Sequence, residues 1–137
     1  MSSFSSIDIS ASGLFAQRMR LDTIANNIAN ATTTRTDQGG PYRKQQVVFR
    51  ACTGESDDPV TRGVQVEGVV ESSDPPKMIY DPGNPDAGPD GRVAMPNVNV
   101  VEEMVDMITA TRSYEANIQA IGAAKAMASK ALEIGRV

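Results

Sequence analysis

The last third of the chain carries one long row of apolar residues at helical spacing. From Val100 to Leu132 they recur at alternating steps of four and three, with two polar interruptions. This spacing lines one narrow side of a helix, as in a coiled-coil seam. Asn99 can cap its start and Gly135 its end. A helix over residues 99–135 would be about 50 Å long, too long for the core of a chain this size, so we expect it to need a partner.

The seam positions named next are apolar or aromatic. No proline interrupts the predicted helix in which they lie. They are Met104, Met107, Tyr114, Ile118, Ile121 and Leu132.

A second seam occupies the beginning of the chain. Leu14, Leu21 and Ile28 fall seven residues apart, and Ile24 takes the intermediate position. This heptad spacing predicts another amphipathic helix within residues 1–31, most regular over residues 10–30. The β-branched threonines that follow are expected to end it.

The middle of the chain, residues 32–98, has a different pattern. Alternating apolar and polar residues predict a strand over 63–71, and shorter strands are expected over 46–50 and 77–80. Residues 52–58 are polar and predicted to form a loose segment. Residues 80–99 are rich in Pro and Gly, so we expect an ordered connector without regular structure.

Together these patterns predict a mainly α fold with a small β insert. The long N- and C-terminal helices, in residues 1–31 and 99–137, are expected to pack as an antiparallel coiled-coil-like pair. Burying a narrow apolar stripe gives less free energy than is lost in conformational entropy when two long helices become ordered. We therefore expect these helices to be poorly ordered in an isolated chain and to become firmly ordered on assembly.

Composition excludes several classes of function. The chain has 137 residues, 4% aromatic residues, no Trp and no His, and its net charge is −4. The missing histidines remove the commonest general base and metal ligand, and no cofactor is expected. The charge gives no basic footprint for nucleic acid. Cys52 is alone, so no disulfide can form within the chain. We also find no apolar run long enough to cross a membrane and no secretory signal at the start.

Three acidic residues at the start of the C-terminal helix have two interpretations. Glu102, Glu103 and Asp106 lie on one helical turn. As paired catalytic carboxylates they would indicate a small hydrolase, which needs a cleft and raised pKa values. As first-turn acids they need only water and the positive end of the helix dipole. The second interpretation is favoured.

Polar side chains on the two helices are candidate interface residues. Asn26, Asn27 and Asn30 cluster near the end of the first helix, where their amides can both donate and accept hydrogen bonds to a neighbouring backbone. Fraying of the helix before the threonines is the alternative explanation. On the second helix, Arg112 and Glu115 are spaced to form an ion pair.

Three segments resemble the rod and hook proteins of the bacterial flagellum. Residues 11–32, ASGLFAQRMRLDTIANNIANAT, are similar to the N-terminal signature of that family, and residues 107–117, MITATRSYEAN, to its C-terminal signature. Residues 80–99, YDPGNPDAGPDGRVAMPNVN, resemble a segment typical of proximal rod subunits. The short chain also suits a proximal rod protein, because distal rod and hook subunits carry larger inserts.

The resemblance implies a structural subunit, not an enzyme, of the proximal rod of the flagellar basal body. Such subunits polymerise through their terminal helices into the axial drive shaft that transmits torque from motor to hook. The implied partners are copies of itself, other flagellar rod proteins, the type III export apparatus and basal-body ring proteins, without nucleic acid or direct membrane insertion. The implied location is the periplasmic rod, reached without a cleaved signal peptide.

The family motifs also suggest which residues make subunit contacts. The six motif positions are Asn26, Asn27, Asn30, Arg112, Tyr114 and Asn117. A charge at Tyr114 is expected to block assembly. A cytosolic coiled-coil adaptor remains the alternative function, since it would share the seam but need neither export nor the connector of residues 80–99.

Overall fold

Two long helices in contact with each other, with two small sheets between them in the chain, make up the fold. The structure is a computed structural model that describes residues 3–53 and 62–136. The predicted mainly α fold with a β insert is confirmed. The elements are α1 (Ser3–Ala29), β1 (Gln45–Thr53), β2 (Arg62–Glu71), β3 (Lys77–Tyr80), β4 (Arg92–Met95) and α2 (Val100–Ile134).

Both predicted ends of α2 are confirmed. The side chain of Asn99 accepts a hydrogen bond from the backbone N–H of Val101 at 3.2 Å, which satisfies one of the free donors of the first turn. At the other end, the N–H of Gly135 donates to the carbonyl of Ala131. The 35 residues of α2 span about 50 Å at about 1.5 Å per residue.

Contacts at two levels show that α1 and α2 run antiparallel. Near the end of α1, Asn27 Nδ2 lies 3.0 Å from Glu103 Oε2 in the first turn of α2. Near the beginning of α1, a Cβ atom on Gly13 would lie 3.1 Å from the side-chain amide of Asn117. The numbering falls along one helix as it rises along the other, as predicted from the two seams.

Small residues line the contact between the two helices. Ala110 of α2 is fully buried, and Ala124 of α2 and Ala16 of α1 are also buried. Because small side chains let helix backbones approach closely, the pair packs through alanines and Gly13. The face of α2 that contains Ala110, Asn117 and Ala124 is called the inward face below.

The predicted seam is only partly the contact surface within one chain. Met104 is 53% exposed, and Ile118 and Leu132 are also exposed, so the prediction that these three lie between the two helices is wrong for the single chain. The adjacent row of α2, which contains Glu103, Ala110, Asn117 and Ala124, takes that place. The remaining seam residues, which are buried or half-buried, are Leu14, Leu21, Ile24, Ile28, Met107, Tyr114 and Ile121.

The first two predicted strands form a hairpin. β1 pairs antiparallel with β2 from Gln45–Glu71 to Thr53–Arg62, with a bulge after Val48. Residues 52 and 53, expected to be loose, continue β1, and residues 54–58 of that predicted loose segment lie outside the described residues. The backbone N–H of Val64 donates to Ser12 Oγ at 3.1 Å, which joins the hairpin to α1.

The prediction that residues 80–99 contain no regular structure is wrong. β4 lies within them and pairs antiparallel with β3, from Lys77–Met95 to Tyr80–Arg92. The turns between β3 and β4 reverse the direction of the chain. Beside them, the N–H of Asp81 donates to the carbonyl of Gly91 at 2.9 Å. Residues 92–95 contain neither Pro nor Gly, so they can complete the ladder.

Candidate subunit interface

A buried polar cluster joins the two helices to the β insert. We call it the polar clamp, and its members are Asn27, Tyr42, Lys44, Gln45 and Glu103. Asn27 is only 1% exposed, and its amide uses all of its hydrogen-bonding capacity. Nδ2 donates to Gln45 O at 2.8 Å and to Glu103 Oε2 at 3.0 Å. Oδ1 accepts from Tyr42 Oη at 2.8 Å and from the Gln45 N–H at 2.9 Å.

Glu103 is the buried charge of the polar clamp. It is 1% exposed, and its Oε1 forms an ion pair with Lys44 Nζ at 2.8 Å. The interpretation of the three first-turn acids as solvated is therefore wrong for Glu103, because this position faces the segment that leads into β1. It remains correct for Glu102, which is exposed. Asp106 lies at the edge, 3.6 Å from Arg20.

The clamp also changes the acidity of its two other titratable groups. The side-chain interaction with Glu103 raises the pKa of Lys44, opposed by burial and helped by the negative charges of Glu103, Glu102 and Asp106. Burial raises the pKa of the Tyr42 phenol, and the nearby carboxylate of Glu103 raises it further. Both groups therefore keep their protons to higher pH in the folded chain.

This arrangement is that of a structural joint. Asn27 donates a hydrogen bond to one carboxylate oxygen of Glu103, and Lys44 forms an ion pair with the other, so the buried charge has an opposite charge beside it. The clamp connects α1, α2 and the start of β1. It therefore fixes the direction in which the β1–β2 hairpin leaves the helix pair.

The opposite side of α2 presents large apolar residues to solvent. We call it the outward face, and its apolar members are Val101, Met104, Val105, Ile108 and Ile118. Ile108 is 57% exposed. A shallow groove runs beside these residues and is lined by Met104, Met107, Ile108, Thr111, Arg112 and Glu115. Contiguous apolar surface of this kind is typical of a site for another protein chain.

The asparagines predicted to make subunit contacts have different surroundings. Asn26 is exposed, and its Oδ1 accepts from Asn30 Nδ2 at 2.9 Å. Asn30 is half-buried and also bonds to the carbonyl of Asn26. Asn27 is enclosed in the clamp and has an internal role in the single chain.

The predicted contact residues on α2 are also divided. Arg112 is exposed, whereas Tyr114 and Asn117 are half-buried, and Asn117 lies close to Gly13 of α1. Asn117 Nδ2 donates to the carbonyl of Ser113 at 3.0 Å. The predicted Arg112–Glu115 ion pair is absent from the ion pairs of the described residues.

Sequence reasoning missed Tyr42, Lys44, Gln45 and Glu103 as members of one site. A weak signal for Glu103 exists, because it lies seven residues before Ala110 and begins the row that contains Asn117 and Ala124. A charged residue in a row of small residues indicates a buried partner. Nothing in the local sequence identifies Lys44 as that partner.

None of the described helices is long and apolar enough to cross a membrane. Among the described residues, no group of three or more Cys, Asp or Glu side chains is arranged to hold a metal ion.

Comparison with known proteins identifies two matching families and close relatives. Residues 7–35 match the family described as flagella basal body rod protein, and residues 90–134 match the C-terminal family of flagellar basal body rod FlgEFG proteins. The chain is 44% identical to flagellar basal-body rod protein FlgC of Borreliella burgdorferi, over 98% of each chain. It is 47% identical to FlgC of Salmonella typhimurium, over 94% of this chain and 95% of that protein. It is 41% identical to FlgC of Bacillus subtilis, over 99% and 100%.

Proposed function

The chain belongs to the FlgC family of flagellar basal-body rod proteins, and on this basis we propose that it polymerises through its terminal helices into the proximal part of the axial drive shaft. The family is structural, so the chain is a rod subunit with a role in motility and is not an enzyme. It is located in the basal-body rod and assembles with flagellar components. The surfaces through which the chain assembles, and through which we propose that it transmits torque, follow from the exposed residues of its helices.

The exposed apolar side chains of the outward face are the observation that carries this proposal. Leaving residues such as Met104 and Ile108 in water forgoes about 1.5–3 kcal/mol for each large side chain that could be buried. A neighbouring helix would recover that free energy. The inward face is already covered by α1, so the outward face is the side of α2 available to another subunit.

The end of α2 supplies further surface. At the register set by Asn27–Glu103 and Gly13–Asn117, residue 3 of α1 lies opposite residue 127, so the last two turns of α2 continue past the start of α1. These turns expose Met127, Leu132 and Ile134. Apolar side chains that the described residues leave uncovered here fit packing against the next subunit along the rod.

Among the motif residues, the exposed ones are the best candidates for direct contact. Asn26 and Arg112 reach solvent, and Asn30 does so in part. Tyr114 and Asn117 support the contact from inside the helix pair. Asn27 is left out of the proposed interface, because its amide is fully occupied in the clamp.

The proposed partners are copies of this chain, other rod proteins, the basal-body rings and, before assembly, the type III export apparatus. We propose that the chain passes through this apparatus unfolded. A helix pair held by small residues suits that passage, because it loses little buried apolar surface on opening. We expect amide hydrogens in the terminal helices to exchange faster in the free subunit than in the rod. Equally strong protection of these amide hydrogens from exchange in the free subunit and in the rod would contradict the expectation that the helices become ordered on assembly.

Replacing Ile108 by Asp is the direct test of the outward face. The side chain is exposed, so the free subunit should keep its helical circular-dichroism signal, whereas motility and recovery of the protein in detergent-resistant basal bodies should be lost. Met78→Asp is the matched control, since Met78 is 55% exposed but lies on β3. Normal rods with Ile108→Asp would overturn the proposal.

Tyr114→Asp tests the other side of the helix. Tyr114 is half-buried beside α1, so the new carboxylate should lack a partner, loosen the helix pair and block assembly. The measurement is swimming in soft agar, together with the helical signal of the free subunit. A motile Tyr114→Asp strain would refute the role of this residue.

A further inference from the structure

The outward side of α1 carries one large aromatic residue among small and charged ones. Phe15 is 62% exposed, although it is one of only six Phe and Tyr residues in a chain without Trp. Its neighbours along the same side of α1 are spaced by three and four residues and are all exposed: Asp8, Ala11, Arg18 and Asp22. An exposed aromatic in this setting is typical of an anchor residue in a protein interface.

A matching recess lies on α2. Glu115, Ile118, Gln119 and Gly122 are all exposed and have the i, i+3, i+4, i+7 spacing of the four residues that surround a knob in a coiled coil. A Cβ atom added to Gly122 would have nothing within 4 Å. The floor of the recess is therefore open, and an aromatic ring can lie against the helix backbone there.

The charges on the two helices set the direction of docking. With Phe15 in the recess and the helices antiparallel, Arg18 falls beside Glu115 and Asp22 beside Arg112. The same register brings Asp8 beside Lys125, so that each of these six charged residues lies beside one of opposite charge. A parallel arrangement matches two aspartates with basic residues but leaves Arg18 and Glu115 unmatched. Among the described residues, none of these six charged residues takes part in an ion pair.

We propose that Phe15 of one copy inserts into the Glu115–Gly122 recess of a second copy, with α1 and α2 antiparallel. The Arg18–Glu115 and Asp22–Arg112 ion pairs then lie on one side of the contact, and the Asp8–Lys125 ion pair lies on the other. This inference rests on the proposed function and names its partner. Knob and recess lie on different helices of the same chain, so the contact is heterologous. Contacts of this type form a closed ring when the rotation closes and an open helical assembly when it does not, and a rod requires the open form.

Filling the recess is the first test. Gly122→Leu should preserve the free subunit, because Gly is the weaker helix former by roughly 1 kcal/mol and the position is open. Incorporation into basal bodies should fall about tenfold or more, the equivalent of 1.4 kcal/mol. Ala116→Leu adds the same side chain at an exposed position outside the recess and should assemble normally. Normal incorporation of Gly122→Leu would overturn the inference.

A charge exchange tests the partner side chains. Arg18→Glu and Glu115→Arg should each reduce incorporation about tenfold, because like charges then face each other in the contact. Both changes in one chain restore the opposite charges between copies, and incorporation should return to within about twofold of the parent. A double variant as defective as either single variant would overturn the pairing.

Disulfide trapping identifies the neighbour. In a Cys52→Ser background, Phe15→Cys with Ile118→Cys should yield chain-to-chain dimers of this protein in oxidised basal bodies, whereas Phe15→Cys with Met78→Cys should not. A cross-link to a different rod protein, or only one within a single chain, would overturn the second copy as partner. If Ile108→Asp blocks assembly while no dimer forms, this inference alone is wrong. If Ile108→Asp assembles normally, the proposed function is wrong as well.

Discussion

The inward and outward faces of α2 use different residues although they belong to one helix. The inward face contains Ala110, which is fully buried, together with Ala124 and the charged Glu103 of the clamp. The outward face exposes Met104 and Ile108. Small residues give α1 a close approach, while the large apolar residues remain available. The single chain is therefore held by close packing and one polar joint, and the exposed apolar side chains of α2 support the proposal that its outward face serves assembly.

The largest effect is expected from a charge on the inward face. Ala110→Asp places a carboxylate at a fully buried position without a partner, which should cost about 4 kcal/mol or more of the free energy of unfolding. The subunit should lose its helical signal and fail to assemble. Ile108→Asp, two residues away on the outward face, should fail to assemble but stay folded. Circular dichroism of the two free subunits distinguishes the faces, and the same loss of helical signal in both would remove the distinction.

An intermediate effect is expected from the polar clamp. Lys44→Met leaves the Glu103 carboxylate buried and without its ion-pair partner, and should lower the free energy of unfolding by roughly 3 kcal/mol. Adding Glu103→Gln removes the stranded charge, so the double variant should recover more than about 1 kcal/mol of this loss. Urea unfolding measures both values. Equal stability of the single and double variants would show that Glu103 does not depend on Lys44.

The smallest effect is expected from alkaline pH. The pKa values of Lys44 and Tyr42 lie above their ordinary values of 10.5 and 10.0 in the folded chain. The stabilisation from the raised Lys44 pKa is fully present below pH 10.5 and is lost as the pH rises through the folded value. Ionisation of Tyr42 is likewise disfavoured by folding, so the loss should begin near pH 10. Lys44→Met should flatten the decline of the unfolding midpoint above pH 10.5, and an unchanged slope there would contradict this assignment.

Much of the fold follows from local signals. The apolar periodicity and the capping residues Asn99 and Gly135 predicted α2, and the alternation over residues 63–71 predicted β2. These signals act between near neighbours, so they can be read without the fold. β4 was not predicted, because the Pro and Gly residues around it indicated an irregular segment. Its own four residues contain neither and can pair with β3.

The choice of inward face could not be predicted in the same way. The rows that contain Met104 and Glu103 are adjacent and share a seven-residue period, so spacing alone does not separate them. Hydrophobicity favours the row with the larger residues, whereas close packing against Gly13 favours the row with Ala110. The clamp was also beyond sequence reasoning, because Asn27 and Glu103 are 76 residues apart and meet only in the folded pair.

Oxidation of methionines in the free subunit and in isolated basal bodies tests the central claim most directly. Met104, on the outward face, and Met78, on β3, have nearly the same exposure in the single chain, at 53% and 55%. Mass spectrometry after brief treatment with hydrogen peroxide should find similar oxidation of both in the free subunit. In the rod, the oxidation of Met104 should fall strongly relative to that of Met78. Equal oxidation of Met104 in the two states would mean that the outward face is not a subunit interface.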